Sequence, residues 1–137
     1  MAIINLDPYP SPRPRFSRKT GKAYMPNEYT LWKKLFLKEW LKHGLDKFDA
    51  GVPLAVDLIF YISPPKAIAR VKKNQNILKS EMWRVVKKPD LDNLEKSVLD
   101  SVNSHAYEDD NQISDLHSRK RYSLKPRVEI VIKEDVE

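Results

Sequence analysis

Not one of the 137 residues is a cysteine. With no disulfide to staple it, the chain must be held together by a core of its own apolar side chains, and its length suits one domain that folds without a structural metal. The same absence removes thiolate nucleophiles and cysteine-based zinc or iron–sulfur sites, so any metal has to rest on oxygen or imidazole. Apolar residues make up 41% and charged residues 32%, a balance found in folded globular chains and not in disordered ones. No stretch reaches the roughly 18 uncharged apolar residues that a membrane span needs. The opening MAIINLDPYP has neither the basic nor the apolar region of a secretory signal. The expectation is a single domain over residues 1–137, working in the cytoplasm.

Hydrophobic period divides the chain. Pro8, Pro10, Pro12 and Pro14 forbid helix at the start, because each lacks an N–H and pushes the residue before it towards extended geometry. Ser17 to Gly21 has turn chemistry. From Asn27 as cap to Lys42, Trp32, Leu35, Phe36 and Trp40 fall near helical spacing, with His43 and Gly44 closing the helix. Val52 to Ile62 alternates as a central strand. A helical piece begins at Pro65, and residues 63–89 as a whole are expected to be a mobile basic insertion. Leu91, Leu94, Val98, Leu99 and Val102 then give a second long helix to Asn103. Gln112–His117 as a short strand or turn, extended chain at Lys120–Leu124, and a final strand at Val128–Ile132 complete the order. This predicts an α+β sandwich: a mixed, mostly antiparallel sheet covered by two longer helices.

The net charge of +6 favours a polyanionic partner, nucleic acid above all. It is unevenly placed. Arg13, Arg15, Arg18 and Lys19 cluster early, and between Lys66 and Lys88, with Lys72, Lys73 and Lys87 inside, the only acid is Glu81. These are the candidate DNA-binding residues, tracking phosphates with little sequence information; singly, each also reads as a solvated cation. Trp83 reads either as a stacking platform for an unpaired base or as a core anchor for its loop. Asp57, a lone acid in an apolar strand, reads as solvent-facing or as a neighbour of a metal.

The informative segment is Lys88-Pro89-Asp90-Leu91-Asp92-Asn93-Leu94-Glu95-Lys96. Inside one regular helix, Asp90 and Asp92 would point about 200° apart. Pro89 favours a helix that starts just after it, which leaves Asp90 extended at the cap and Asp92 in the first turn, so the two carboxylates can converge where the helix dipole favours anions. Each alone also reads as simple helix-start chemistry. A second acidic pair, Asp109-Asp110, follows downstream, and carboxylates from two separated segments suit Mg²⁺, which keeps waters and takes a substrate phosphate. His43, His105 and His117 are badly spaced for ligation. Lys96 lies one turn beyond Asp92 and carries two readings, a surface ion pair or an electrophile for charge developing on a phosphate.

Lys88-Pro-Asp90-Leu-Asp92-Asn93-Leu-Glu-Lys96-Ser-Val-Leu-Asp100, followed by Glu108-Asp109-Asp110-Asn-Gln112-Ile-Ser-Asp115, resembles the RusA family of Holliday junction resolvases. Pro12-Arg-Pro-Arg15-Phe16 is similar to the N-terminal segment of the family's phage and prophage members. The resemblance implies a bacterial or phage-encoded, nucleoid-associated homodimer that is Mg²⁺-dependent, with Mn²⁺ as a substitute, and resolves four-way DNA junctions by paired nicks without an organic cofactor. It places the catalytic and metal-binding aspartates on Asp90, Asp92 and Asp110 and the functional lysine on Lys96. The stretch from Asp100 to Asp109 is slightly shorter than in the well-known bacterial form and lacks its glycine, so both Asp109 and Asp110 stand as candidates for the third ligand, the second matching better.

The expected chemistry is attack by a metal-activated water, leaving a 5′-phosphate and a 3′-hydroxyl. Asp109 and Asp100 are candidate outer partners, the first orienting Asp110, the second supporting Lys96. Phe36, Trp40 and the last strand are candidates for the dimer surface. Two rival readings remain: a nuclease for flaps, forks or RNA, and a non-catalytic DNA-binding module in which the acids only cap helices.

Overall fold

The structure, a computed structural model, describes residues 1–136. At its centre is β4 (Leu54–Ile62), paired on one side with β5 (Ile113–Tyr122) and on the other with β6 (Arg127–Glu134), while β1 (Ala2–Ile4) closes the far edge; the sheet order is β1-β6-β4-β5. The β4–β5 pair is parallel, and the β4–β6 and β1–β6 pairs are antiparallel. Parallel neighbours need a long crossover. Here it carries three short or medium helices, α2 (Lys66–Ala69), α3 (Gln75–Ser80) and α4 (Leu91–Val102).

Alternation puts Leu54, Val56, Leu58 and Phe60 on one face of β4, and Val128 and Ile130 of β6 with Ala2 and Ile4 of β1 extend it. That face is buried under α1 (Asn27–Leu41) and α4, through Trp32, Phe36 and Trp40 of the first and Leu94, Val98 and Val102 of the second. The opposite face is half-exposed, with Asp57 between Val131 and His117. The architecture is the expected mixed α+β sandwich with two longer helices over one face. No described helix is long and apolar enough to cross a membrane.

Several local expectations change. Leu35 is 42% exposed and Tyr29 takes its place in the stripe of α1, because a residue three positions before Trp32 lies on the packed face. The two extended pieces expected at 112–117 and 120–124 are one ten-residue strand, β5. Phe36 and Trp40 are core residues and so not free to form a dimer surface, while β6, paired with β1 and β4 at its edges, keeps only its half-exposed face open.

The basic segment before α4 carries α2, a 3-10 turn at Lys72–Asn74 and α3. Leu78, Val85 and Tyr122 form a second small core there, joined by Ile62, Ile68 and Trp83, with Trp83 edge-on to Tyr122 at 5.8 Å. Trp83 is thus the anchor of its loop. Glu81, at φ +60°, accepts from Arg127 Nη1 and Nη2, at 2.6 and 3.0 Å, and from Ser123 Oγ. Arg127 also donates to Glu129 and lies 3.9 Å over the Tyr61 ring.

Candidate functional site

The proline-rich segment is extended and tied down by three contacts. Trp32 Nε1 donates to Asp7 O at 2.9 Å, Tyr9 stacks on Tyr29 at 6.1 Å, and Ser11 N donates to Asn93 O at 2.9 Å. The last bond lays residues 10–14 beside the first turn of α4. Between them opens a pocket of about 630 Å³, lined by Arg13, Lys88, Asp90, Asp92, Asn93 and Lys96 with the prolines.

Asp90 is the N-cap residue of α4, in extended geometry at φ −70° and ψ 140°, as Pro89 led us to expect. Its carboxylate accepts no hydrogen bond from the helix N–H groups. Asp92 lies in the first turn, and Asp90, Asp92 and Lys96 are all exposed. Among the described residues none of the three makes an ion pair. The Asp92–Lys96 surface bridge is therefore not formed, and the two carboxylates share a pocket with three unpaired cations.

What holds this loop was not visible in the sequence. The Lys88–Pro89 peptide is cis, and Lys120 Nζ, from β5, donates to Lys87 O at 2.7 Å and Pro89 O at 2.8 Å. Two residues before it on the same face, Ser118 Oγ donates to Glu95 Oε2 at 2.6 Å. Strand β5 thus grips both the loop before Asp90 and the first turns of α4. The signal was only an alternation, Ser118-Lys120-Tyr122, inside a polar segment that read as two separate extended pieces.

The downstream acids stand apart from the pocket. Asp109 caps a 3-10 turn (Asp110–Gln112) in a capping box: its carboxylate accepts from Asn111 N at 3.3 Å, while Gln112 Oε1 accepts from the backbone N–H of Glu108 and Asp109. Gln112 Nε2 reaches across to Asp49 O and Val52 O. Asp110 turns inward instead, and the buried Tyr107 donates its phenolic proton to Asp110 Oδ1 at 2.5 Å. Burial raises the Asp110 carboxyl above its ordinary range, and the charges of Asp100 and Asp109 add to this against the Tyr107 bond. Burial also pushes the Tyr107 hydroxyl well up. Asp100 accepts from Tyr29 OH at 3.4 Å and pairs with no lysine. No three acidic or histidine side chains among the described residues form a ready cage for an ion. Asp90 and Asp92 meet in the pocket, and Asp110 and Asp100 meet near Tyr107.

Of the candidate DNA contacts, Arg13 and Lys88 line the pocket. Arg15 begins β2 (Arg15–Phe16), which pairs with β3 (Ala23–Tyr24) in a hairpin whose turn holds Arg18 and Lys19. Lys72 and Lys73 are exposed on their 3-10 turn, and Lys87 is exposed before the pocket.

Paired carboxylates and free cations around a helix N-terminus in a basic α+β domain are groups suited to meeting phosphate. Residues 5–133 match the family model described as endodeoxyribonuclease RusA. The chain belongs to that family of DNA endonucleases. It is also 34% identical over 130 residues, covering 93% of this chain and 91% of the relative, to the uncharacterised protein YqaN of Bacillus subtilis (strain 168).

Proposed function

We propose that the chain is a structure-specific endodeoxyribonuclease that resolves four-way DNA junctions by symmetric paired nicks, acting in the cytoplasm beside the nucleoid. The observation that carries this reading is the idle Asp90 carboxylate: it occupies the cap position yet caps nothing, and shares an open pocket with Asp92 and the unpaired Lys96. Helix-start chemistry does not account for it.

The donor chemistry fits a hard divalent cation, Mg²⁺ with Mn²⁺ as substitute, because every candidate ligand is a carboxylate oxygen. Burial and the neighbouring acids raise the Asp110 carboxyl against the Tyr107 bond, and a bound cation would relieve that. Asp90 and Asp92 would hold the cation in the pocket, and Asp110, which stands outside that pocket in this structure, would have to close towards it to serve as the third ligand; when bound the cation would supply polarisation of the scissile phosphate and a nucleophilic water. The chain's own groups do the rest. Lys96 stabilises charge developing on the phosphate or its leaving oxygen. Arg13 and Lys88 seat the flanking phosphates, while Arg15, Arg18, Lys19, Lys72, Lys73 and Lys87 hold the arms. Asp109 keeps the 3-10 turn in shape and so aims Asp110, and Asp100 sits beside it. A near-symmetric junction is cut productively when opposing strands are nicked together, which two sites on a C₂ homodimer provide.

The test is a titration of Mg²⁺ or Mn²⁺ against a labelled four-way junction, a fork, a flap and linear duplex, with products sized on a denaturing gel. The expected result is metal-dependent, symmetric nicks in opposing strands of the junction, with the other substrates cut more slowly. Binding without cleavage at every metal concentration would make the chain a DNA-binding module. Faster cutting of flaps or forks would overturn the junction assignment.

A further inference from the structure

We infer that the β2–β3 hairpin is a two-faced wedge that enters the branch point of the DNA, with Phe16 and Tyr24 stacking on the base pairs exposed there. The inference rests on the reading of the substrate as branched DNA.

Phe16 is 67% exposed and Tyr24 49% exposed, although large aromatic rings in a small domain ordinarily find cover. The register pairs Arg15 with Tyr24 and Phe16 with Ala23. Opposite residues of an antiparallel pair share a face and neighbours alternate, so one face of the hairpin carries Tyr24 with Arg15 and the other carries Phe16. The blade thus offers one aromatic ring in each direction. A linear duplex step must be unstacked before such a blade can enter, which costs free energy, whereas at a branch point the stack is already interrupted and leaves a base-pair face on each side.

Two further observations select this occupant. From Arg13 to Tyr24 there is no acid, while Arg13, Arg15, Arg18, Lys19 and Lys22 are all cationic, so the rings sit in a field that attracts phosphates and repels another copy of itself. The hairpin also grows directly from the pocket wall, since Arg13 and Pro14 line the pocket and Arg15 starts β2. Its turn is closed internally by Ser17 N to Lys22 O and Gly21 N to Ser17 O, both at 2.9 Å, with Gly21 at φ +66°.

The test uses Phe16→Ala, Tyr24→Ala and the double variant, with Phe16→Trp as the conservative control. Binding is measured without divalent metal, so it does not depend on cleavage, on a junction carrying 2-aminopurine at the branch and on linear duplex of equal length. The double variant should lose about tenfold or more of the preference for the junction, bind linear duplex within about twofold, and abolish the 2-aminopurine change, while Phe16→Trp keeps both. Melting should be unchanged, the rings being exposed. Junction preference unaltered in the double variant, equal loss on both DNAs, or a change only in oligomeric state would each overturn the wedge. A protein that fails to cut DNA and still shows these binding effects would contradict the nuclease reading and leave the wedge standing.

Discussion

Asp90 and Asp92 depend on a lysine that neither touches. Lys120 donates to carbonyls on both sides of Lys88, so its removal leaves the loop before α4 without this anchor. Replacement by methionine keeps most of the aliphatic stem and deletes the charge-assisted bonds, each contributing about 1.5–3 kcal/mol. Lys120→Met should therefore lower stability by a few kcal/mol at most and reduce cleavage by about tenfold or more, with junction binding nearly unchanged, since the defect is in aim and not in charge. Single-turnover cleavage at saturating protein separates the two. An unaltered rate in the folded variant would show that β5 does not position Asp90.

At the scale of elements, α4 joins core and site, because one helix carries Leu94, Val98 and Val102 inward and Asp92 and Lys96 outward. Leu94→Ala should cost about 2–5 kcal/mol in urea unfolding; a smaller loss would mean the site side of α4 is not held by this core. The basic insertion is fastened differently, by Glu81 on Arg127, 46 residues away. The guanidinium bonds hold the Glu81 carboxyl below its ordinary 4.5, with burial opposing and Ser123 assisting. The unfolded chain then takes up the proton more readily, so this stabilisation is full above the ordinary value and is lost as the pH falls through the lowered one. Glu81→Gln should be less stable than the parent at neutral pH, with the gap closing below pH 4.5; a gap that stays constant with pH would exclude the ion pair as its source. These elements also mark what the sequence discloses. The two long helices and β4 were legible because their apolar residues recur at 3.6 or 2 residues. Strand β5 was read only as two separate extended pieces, since Ser114-Asp115 and Ser118-Arg119-Lys120-Arg121 lie on an edge strand with little to bury. Asp90, Asp92 and Lys96 were marked as candidates by Pro89 and their spacing, with roles supplied only by the family resemblance, whereas Tyr107, Gln112 and Lys120 act through partners that only folding brings near.

For the whole molecule, the excess positive charge should govern affinity more than any single contact. Binding of junction DNA should weaken linearly with the logarithm of salt concentration, and Arg13→Ala should flatten that slope by about 0.9 if the residue meets one phosphate. No change in slope, measured by fluorescence anisotropy, would place Arg13 off the DNA. Under the proposed function two acidic clusters act as one centre, Asp90 with Asp92 in the pocket and Asp110 beside Tyr107. The most direct test compares Asp92→Asn and Asp110→Asn with the parent for junction cleavage in Mg²⁺ and for Mn²⁺ uptake by calorimetry, with circular dichroism confirming the fold. Both variants should bind the junction, lose metal uptake and cut at least about a hundredfold more slowly. A folded variant of either kind that cuts at the parent's rate would contradict the claim that these carboxylates together hold the catalytic cation.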